Sequence, residues 1–179
     1  MKPLFLIGYM GCGKSTLGRK LAQRLSVGFA DTDALIEARE GAAVADIFQL
    51  AGESYFRRAE RAVLDELIDS GRPLVVSTGG GLPVWEDNMA RMNAAGTTVY
   101  LRRTAEQIAG RLSPYGRRKR PRLRGLSDEE LVAFMRRDMA SREAFYAQAC
   151  CVVECAGRSD DELMVWIIEQ CKTLCPTLR

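Results

Sequence analysis

The chain has 179 residues and a mass of 19.9 kDa, enough for one hydrophobic core and short for two, so we expect a single domain over residues 1–179. Hydrophobic residues make up 47% and charged residues 27%, and no apolar run is long enough to cross a bilayer. The absence of histidine excludes Ser-His and Cys-His nucleophile pairs and His-ligated metal sites. Residues 1–7 lack the pattern of a secretory signal, which predicts a cytoplasmic protein.

Positive charge is concentrated in one segment. The formal net charge is +3, but six arginines and lysines stand within residues 117–124, and subtracting these six leaves −3 for the rest of the chain. Arginine outnumbers lysine by 21 to 5, and its planar guanidinium suits bidentate binding of carboxylates and phosphates. The composition therefore suggests an anionic ligand, although a charged run of this kind is also typical of a solvated surface segment.

Four of the six cysteines form two pairs with the spacing of a structural zinc site: Cys151 with Cys155, and Cys171 with Cys175. The first pair alternates with Val153 along a predicted strand, and the second pair is four residues apart on a predicted helix. Small thiols at such positions usually pack in a core. We therefore favour buried packing over zinc, and disulfides are not expected in a cytoplasmic chain.

Hydrophobic periodicity predicts alternating strands and helices along the chain. Expected strands are Leu4–Ile7, a short strand ending in Asp31-Thr32-Asp33, Leu74–Ser77, Thr97–Leu101 and Cys150–Cys155. Expected helices are Lys14–Leu25, Ala34–Arg39, Val44–Leu50, Tyr55–Ile68, Trp85–Ala95, Thr104–Leu112, one opened by a capping box at Ser127, Arg136–Ala149 and Asp160–Leu174. Strands separated by helices need crossover connections. The predicted fold is therefore α/β, a three-layer arrangement with a five-stranded parallel sheet and helices on both faces.

A phosphate-binding loop follows the first predicted strand. Residues 8–15 match G-x-x-x-x-G-K-[ST] at every fixed position and lie between a predicted strand and a predicted helix. In such a loop the glycines turn backbone N–H groups toward a phosphate, the lysine reaches the outer phosphates, and the hydroxyl binds Mg²⁺. The loop predicts a nucleotide contact by Gly11, Cys12, Gly13, Lys14, Ser15 and Thr16.

Two further strands end in residues suited to a ligand. Alternation in an extended segment would turn Asp31 and Asp33 toward the same pocket, beside the metal site. The third strand ends in Ser77-Thr78 and then Gly79-Gly80-Gly81, where backbone can approach a ligand closely. Many P-loop switches and motors have a metal-binding Asp at this strand end. Its absence here argues against those two classes.

The motif order resembles the shikimate kinase family over nearly the whole chain. The matching motifs are Gly8-x-x-Gly11-x-Gly13-Lys14-Ser15-Thr16, Phe29-x-Asp31-x-Asp33, Gly52-Glu53-x-x-Phe56-Arg57-x-x-Glu60, Gly79-Gly80-Gly81, Arg120-Pro121 and Arg142-x-x-x-Tyr146. The resemblance implies a fold like that of nucleoside monophosphate kinases. It also implies an enzyme that transfers the γ-phosphoryl group of ATP to the 3-hydroxyl of shikimate in aromatic amino-acid biosynthesis.

The resemblance assigns a role to each candidate residue on the substrate side. Asp33 would bind the ring hydroxyls and act as the base, and Arg57 and Arg142 would hold the substrate carboxylate with the Gly80 backbone, flanked by Gly79 and Gly81. Two guanidiniums suit a planar carboxylate on physical grounds as well. Glu60, three residues after Arg57 on one helical face, would orient that arginine.

On the nucleotide side the resemblance implies ATP as co-substrate and Mg²⁺ held by Ser15 and a water on Asp31. A mobile lid would span about residues 112–125 and bring the catalytic Arg120 to the phosphates. Arg111 would lie against the adenine. The match fades at residues 155–159, where Arg158 is a second candidate for adenine contact.

Two alternatives stay open at this point. A carboxylate clamp does not by itself separate shikimate from another small acid, so a gluconate kinase is the nearest alternative. A non-enzymatic nucleic-acid binder would use the basic segment 117–124, but Tyr115 is the one aromatic beside it, which is a poor platform for stacking bases. We therefore expect no nucleic-acid or membrane partner, and a monomer.

Overall fold

Five short apolar segments form one parallel sheet. The computed structural model describes residues 2–118 and 120–174. The strands are β1 (Leu4–Ile7), β2 (Gly28–Asp31), β3 (Leu74–Ser77), β4 (Thr97–Arg102) and β5 (Cys151–Glu154). They lie in the order β2-β3-β1-β4-β5, and every neighbouring pair is parallel. The predicted α/β fold with a five-stranded parallel sheet is confirmed.

Helices supply the crossover connections that parallel strands require. Their bounds are α1 (Lys14–Leu25), α2 (Thr32–Glu40), α3 (Val44–Ala51), α4 (Glu53–Asp69), α5 (Asn88–Ala95), α6 (Ala105–Arg111), α7 (Pro114–Arg118), α8 (Asp128–Ala140), α9 (Glu143–Tyr146) and α10 (Asp160–Leu174). Capping boxes begin α6 at Thr104 and α8 at Ser127, each with a glutamine or glutamate three residues later. These caps satisfy backbone N–H groups that the first helical turn leaves unpaired.

The order of the strands places helices on both faces of the sheet. The chain moves from β1 to β2 in one direction across the sheet, and from β3 to β4 in the other. Right-handed crossovers in opposite directions cover opposite faces. α1 therefore lies on one face, where it packs against α10, and α5 lies on the other, where it packs against β4 and α4.

The centre of the sheet is the centre of the core. All four residues of β1 and all four of β3 are buried, as expected for strands covered on both faces. The largest buried side chains include Phe5, Tyr100 and Tyr146. The loops that follow β1 and β3 thus begin at strands that are buried throughout.

Three predicted elements differ from the structure. β2 ends at Asp31, and Thr32 already belongs to α2, so Asp33 lies in the first turn of a helix rather than at the end of a strand. The helix predicted from Trp85 begins at Asn88, after a 3₁₀ turn over Leu82–Val84. The helix predicted over Arg136–Ala149 is broken, because α8 ends at Ala140 and the separate short α9 follows.

Candidate active site

The candidate site lies at the carboxyl ends of β1 and β3. Neighbouring strands whose connections leave toward opposite faces open a crevice between their loops, which is where ligands bind in open α/β sheets. Here the crevice separates residues 8–15 from residues 78–81. Thr78 ties its two sides together, because its backbone N–H and its hydroxyl both donate to the carbonyl of Leu6, at 3.2 and 3.1 Å.

The loop before α1 has the conformation that a phosphate cradle needs. Gly8, Gly11 and Gly13 have φ angles of 139°, 80° and 107°, a region that favours glycine. Lys14 is 7% exposed and its Nζ donates to the carbonyls of Gly8 and Tyr9 at 2.7 and 2.9 Å. The lysine thus closes the loop on itself and lies at its centre.

Cys12 and Thr16 occupy different surroundings in this region. The thiol of Cys12 is buried and lies 3.8 Å from Lys14 Nζ. Thr16 is exposed in the first turn of α1. The side chain of Cys12 fills space under the loop, and its backbone N–H donates to the Tyr9 carbonyl at 3.3 Å. The nucleotide contacts expected of Cys12 and Thr16 stay predictions.

The two residues predicted to bind Mg²⁺ are brought together. The Ser15 hydroxyl donates to Asp31 Oδ2 at 2.6 Å and lies 3.1 Å from the hydroxyl oxygen of Ser77. Asp31 also caps α2, with Oδ1 accepting the N–H of Ala34. Mg²⁺ prefers oxygen ligands, and it needs few of them from the protein because phosphate and water oxygens fill its other positions. A hydroxyl and a carboxylate beside a phosphate loop supply such ligands. The residues present fit the metal.

Asp33 and Glu60 form a pair of carboxylates beside Gly79, in which Glu60 is fully buried and Asp33 is partly exposed. Burial raises the pKa of Asp33 to about 6, with repulsion by Asp31 adding to the effect and the charges of Lys14 and Arg57 opposing it. Burial also raises the pKa of Glu60 to about 7 against the attraction of Arg57. Asp33 Oδ1 lies 2.6 Å from the Cβ position of Gly79, so Asp33 borders the glycine turn.

Arg57 is held by two carboxylates from its own helix. Its Nη1 is paired with Glu60 and its Nη2 lies 2.9 Å from Glu53. Burial disfavours the Arg57 charge, but these two partners outweigh burial and raise its pKa. A Cβ placed on Gly81 would overlap the guanidinium, so Arg57 packs against the backbone of the glycine turn. The ion pair between Glu60 and Arg57 agrees with the predicted role of Glu60 in orienting this arginine.

Arg142, at the start of α9, approaches the same turn. Its Nη1 lies 3.6 Å from the point where a Cβ on Gly80 would stand. The carbonyl of Gly80 accepts the Tyr146 hydroxyl at 2.6 Å, which fixes the turn to α9. Gly80 also faces the phosphate loop, since that same Cβ would be 3.3 Å from the backbone nitrogen of Met10. The triple glycine thus lets two arginines and the loop converge.

The segment predicted as a lid holds two short helical turns, α7 and the 3₁₀ turn Pro121–Leu123. Arg120 Nη1 donates to the carbonyl of Gly116 at 2.5 Å, burial lowers the pKa of Arg120, and the charge of Asp33 opposes that effect. Arg111 is exposed, and its Nη2 lies 3.6 Å from the Cβ position of Gly13. Arg111 and Arg120 therefore border the crevice, and movement of the segment stays a prediction.

Arg158 lies on the loop after β5. It is exposed, with its guanidinium 5.8 Å from the centre of the Trp166 ring. Its predicted contact with adenine stays a prediction.

Two residues near the site were not predicted from the sequence. Asp138 on α8 accepts hydrogen bonds from Arg142 and Tyr9. Arg103 is 9% exposed, and it donates from Nε to the Cys12 carbonyl at 3.0 Å and from Nη1 to the Cys155 carbonyl at 3.3 Å. An arginine directly after an apolar strand was a signal for Arg103, because strand ends collect at this edge of the sheet. Asp138 carried no such signal.

The part of the chain that the structure describes was compared with the requirements of a metal site and of a membrane span. There, no group of three or more acidic or sulfur side chains could hold a metal ion, so the described residues do not form a zinc site. Cys175 lies outside the described residues. Across residues 2–118 and 120–174, no helix is long and apolar enough to span a membrane.

Comparison with known proteins agrees with this geometry. The family model described as shikimate kinase matches residues 10–172. The shikimate kinase of Azobacteroides pseudotrichonymphae genomovar. CFP2 is 45% identical over 152 residues, which is 85% of this chain and 89% of that one. The one from Parabacteroides distasonis is 46% identical over 149 residues, covering 83% and 85%.

Solved structures agree as well. The crystal structure of shikimate kinase from Bacteroides thetaiotaomicron superposes with a TM-score of 0.85 at 38% identity, covering 94% of this chain and 97% of that one. The structure of shikimate kinase from Acinetobacter baumannii in complex with shikimate gives a TM-score of 0.86 at 32% identity, covering 98% and 95%. On sequence and structure together, the chain belongs to the shikimate kinase family.

Proposed function

We propose that the protein transfers the γ-phosphoryl group of ATP to the 3-hydroxyl of shikimate, giving ADP and 3-phosphoshikimate. The observation that carries the proposal is the position of Asp33. Its carboxylate is influenced both by Lys14 of the phosphate loop and by Arg57 of α4, and its Oδ1 borders the Cβ position of Gly79 in the glycine turn. A hydroxyl bound to Asp33 would therefore stand between the nucleotide and a site for the carboxylate of the same molecule.

The acid is held by groups on two helices and one turn. Arg57 and Arg142, with the backbone of Gly79, Gly80 and Gly81 between them, bind the carboxylate of shikimate. Two guanidiniums that contact one planar anion fix both its position and its tilt. Glu60 keeps Arg57 in place, and its other oxygen borders the same space.

Asp33 binds the ring hydroxyls and accepts the proton that the 3-hydroxyl loses. The 3-oxygen forms its bond to the γ-phosphorus while the bond from that phosphorus to the bridging oxygen of ADP breaks. The raised pKa of Asp33, about 6, makes its carboxylate a better proton acceptor than an ordinary aspartate and leaves it ionised at pH 7.

Charge that develops on the transferred phosphoryl group is offset by Lys14 and Arg120. Ser15 and Asp31 hold Mg²⁺, which when bound neutralises phosphate charge. The segment 112–125 closes over the nucleotide and excludes water, which would otherwise compete with the hydroxyl for ATP. Arg111 and Arg158 flank the adenine.

The test is ADP release from ATP and Mg²⁺ with shikimate, gluconate, a nucleoside monophosphate or no acceptor. We expect shikimate alone to raise the rate above the acceptor-free value, and Lys14→Met to lower that rate to background. A rate with gluconate equal to or above that with shikimate would contradict the proposal and favour the other small-acid kinase. The expected cytoplasmic location, monomeric state and lack of nucleic-acid partners stay predictions.

A further inference from the structure

Asp138 contacts groups from three separate parts of the fold. It lies near the end of α8, and its side chain is 13% exposed. Its Oδ2 accepts the Tyr9 hydroxyl of the phosphate loop at 2.7 Å. Arg142 Nη2 lies 3.1 Å from Oδ1 and 3.0 Å from Oδ2, and Nη1 of Arg122 lies 3.8 Å from Oδ1. One carboxylate of α8 thus connects the phosphate loop, the start of α9 and Arg122 of the segment 112–125.

The contact with Asp138 divides the donors of Arg142. Nη2 is used by Asp138, whereas Nη1 is directed at the turn, 3.6 Å from the Cβ position of Gly80. Since the guanidinium is planar and rigid, fixing Nη2 fixes the direction of Nη1 as well. Asp138 therefore decides which edge of Arg142 is presented to the crevice.

Tyr9 also helps to hold Arg142 in place. The guanidinium of Arg142 lies over the Tyr9 ring, 5.4 Å from its centre. The ring is almost fully buried, and its hydroxyl ends on Asp138. Burial and the bond to Asp138 both raise the pKa of Tyr9, so the hydroxyl stays protonated and keeps donating. Asp138 consequently holds both the arginine and the surface on which the arginine stacks.

Arg57 offers a useful contrast. It is paired with two carboxylates, Glu53 and Glu60. Among the described residues, Asp138 is the carboxylate within ion-pair distance of Arg142. Arg142 thus depends on a single charged partner, and loss of that partner should free it to turn away from the crevice.

We propose that Asp138 is a positioning residue for the acid substrate, because it presents Nη1 of Arg142 to the substrate carboxylate. The inference rests on the proposed function, in which Arg142 binds that carboxylate. A preorganised guanidinium does not lose side-chain freedom when the substrate binds, and this saving appears as affinity for the acid.

The first variant is Asp138→Asn, which keeps the size of the side chain and an oxygen for the Tyr9 hydroxyl but removes the charge. We expect the KM for shikimate to rise about tenfold, equivalent to about 1.4 kcal/mol. The kcat and the KM for ATP should each stay within about twofold, because Lys14 and Asp33 are untouched. Glu129→Gln is the matched control, since Glu129 is an exposed acid in the first turn of the same helix, and its KM for shikimate should stay within about twofold.

The decisive comparison repeats Asp138→Asn in an Arg142→Met background. A residue that acts through Arg142 has nothing left to position there, so the second substitution should change the KM for shikimate less than about twofold. A merely structural role would give the same rise in both backgrounds and would overturn the inference. An unchanged KM in the single variant would overturn it as well.

Tyr9→Phe keeps the inference testable if Asp138→Asn does not fold. This variant frees the Tyr9 ring from Asp138 without removing a charge, and we expect about a threefold rise in the KM for shikimate. No rise would contradict the arrangement. The activity of the unmodified enzyme separates the role of Asp138 from the proposed function. If the parent is active with shikimate and the variants are unaffected, only the role of Asp138 is overturned. A parent inactive with shikimate overturns both.

Discussion

Asp33 and Glu60 each direct one carboxylate oxygen toward the space in which a Cβ on Gly79 would stand. Both oxygens, Asp33 Oδ1 and Glu60 Oε1, are buried and lack a hydrogen-bond partner among the described residues. Buried acceptors of this kind are costly unless something pairs with them. Under the proposed function, that partner is a hydroxyl of the bound acid.

Gly79→Ala tests this shared space directly. The added methyl group would contact both carboxylates at once, and we expect a loss of about a hundredfold in kcat/KM for shikimate, since displacement by about 1 Å is enough for such an effect. ATP binding should stay within about twofold. Gly110→Ala is the matched control, because a Cβ there meets nothing within 4 Å. Equal effects of the two substitutions on shikimate kinetics would contradict the prediction.

The raised pKa of Glu60 predicts a pH dependence of folding. Because its pKa rises from 4.5 in the unfolded chain to about 7 in the folded one, the folded state holds a proton that the unfolded state has lost. The resulting stability is complete below pH 4.5 and disappears as the pH rises through 7. Glu60→Gln should therefore flatten the decline in unfolding free energy between pH 5 and pH 8, by an amount on the order of 1–3 kcal/mol.

Denaturant titrations at several pH values measure this decline. Glu66→Gln supplies the control, since Glu66 lies on the same helix with its side chain 62% exposed, and it should leave the pH slope unchanged. If the unfolding free energy of Glu60→Gln falls with pH as steeply as that of the parent, Glu60 is not the group that carries the proton.

Asp33→Asn should separate binding from chemistry. The amide keeps the shape of the side chain but accepts no proton, so we expect kcat to fall by about 10² to 10⁴. The KM for ATP should stay within about twofold. Asp46→Asn, at an exposed acid in the first turn of α3, should leave all constants unchanged. A kcat above a tenth of the parent value would remove Asp33 from the role of base.

Arg120 distinguishes a catalytic lid from a solvated run of charges. We expect Arg120→Ala to lower kcat by about 10³, the lower end for an arginine that stabilises phosphoryl transfer, because Lys14 and Mg²⁺ remain. Arg118 and Arg124 are exposed, and Arg124 Nε donates to the Arg118 carbonyl. Their alanine variants should lose less than about threefold. Small and equal losses at all three positions would show that the segment contributes only surface charge.

Local patterns in the sequence were sufficient for the sheet and the phosphate loop. β1 and β3 were predicted with their observed bounds because a short run of apolar residues, four in β1 and three before Ser77 in β3, fits a strand buried on both faces. The bounds of α1 were predicted because the glycines of the loop and Lys14 define where the helix begins. These signals lie within a few residues of the feature that they predict.

The orientation of Asp33 shows where local patterns end. Alternation predicted a strand through Asp33, but Asp31 caps a helix instead, and a capping side chain favours helix over strand at the next residues. The alternation of a strand was therefore the wrong reason to place Asp31 and Asp33 together. The two residues are nevertheless close enough for the charge of Asp31 to raise the pKa of Asp33.

Contacts between distant segments were also inaccessible to sequence patterns. The Tyr9–Asp138 bond joins residues 129 positions apart, and the Tyr146–Gly80 bond joins residues 66 apart. Such pairs depend on how the helices pack on the sheet, and the local patterns of a single sequence do not reveal that packing.

The position of the transferred phosphate tests the account most directly. The enzyme is incubated with shikimate, ATP and Mg²⁺, and the product is examined by ¹H–³¹P correlation NMR. We expect one phosphate ester whose phosphorus correlates with the ring proton on C3, with ADP formed in equal amount. Phosphate on another hydroxyl, or ADP released with inorganic phosphate and unmodified shikimate, would contradict it.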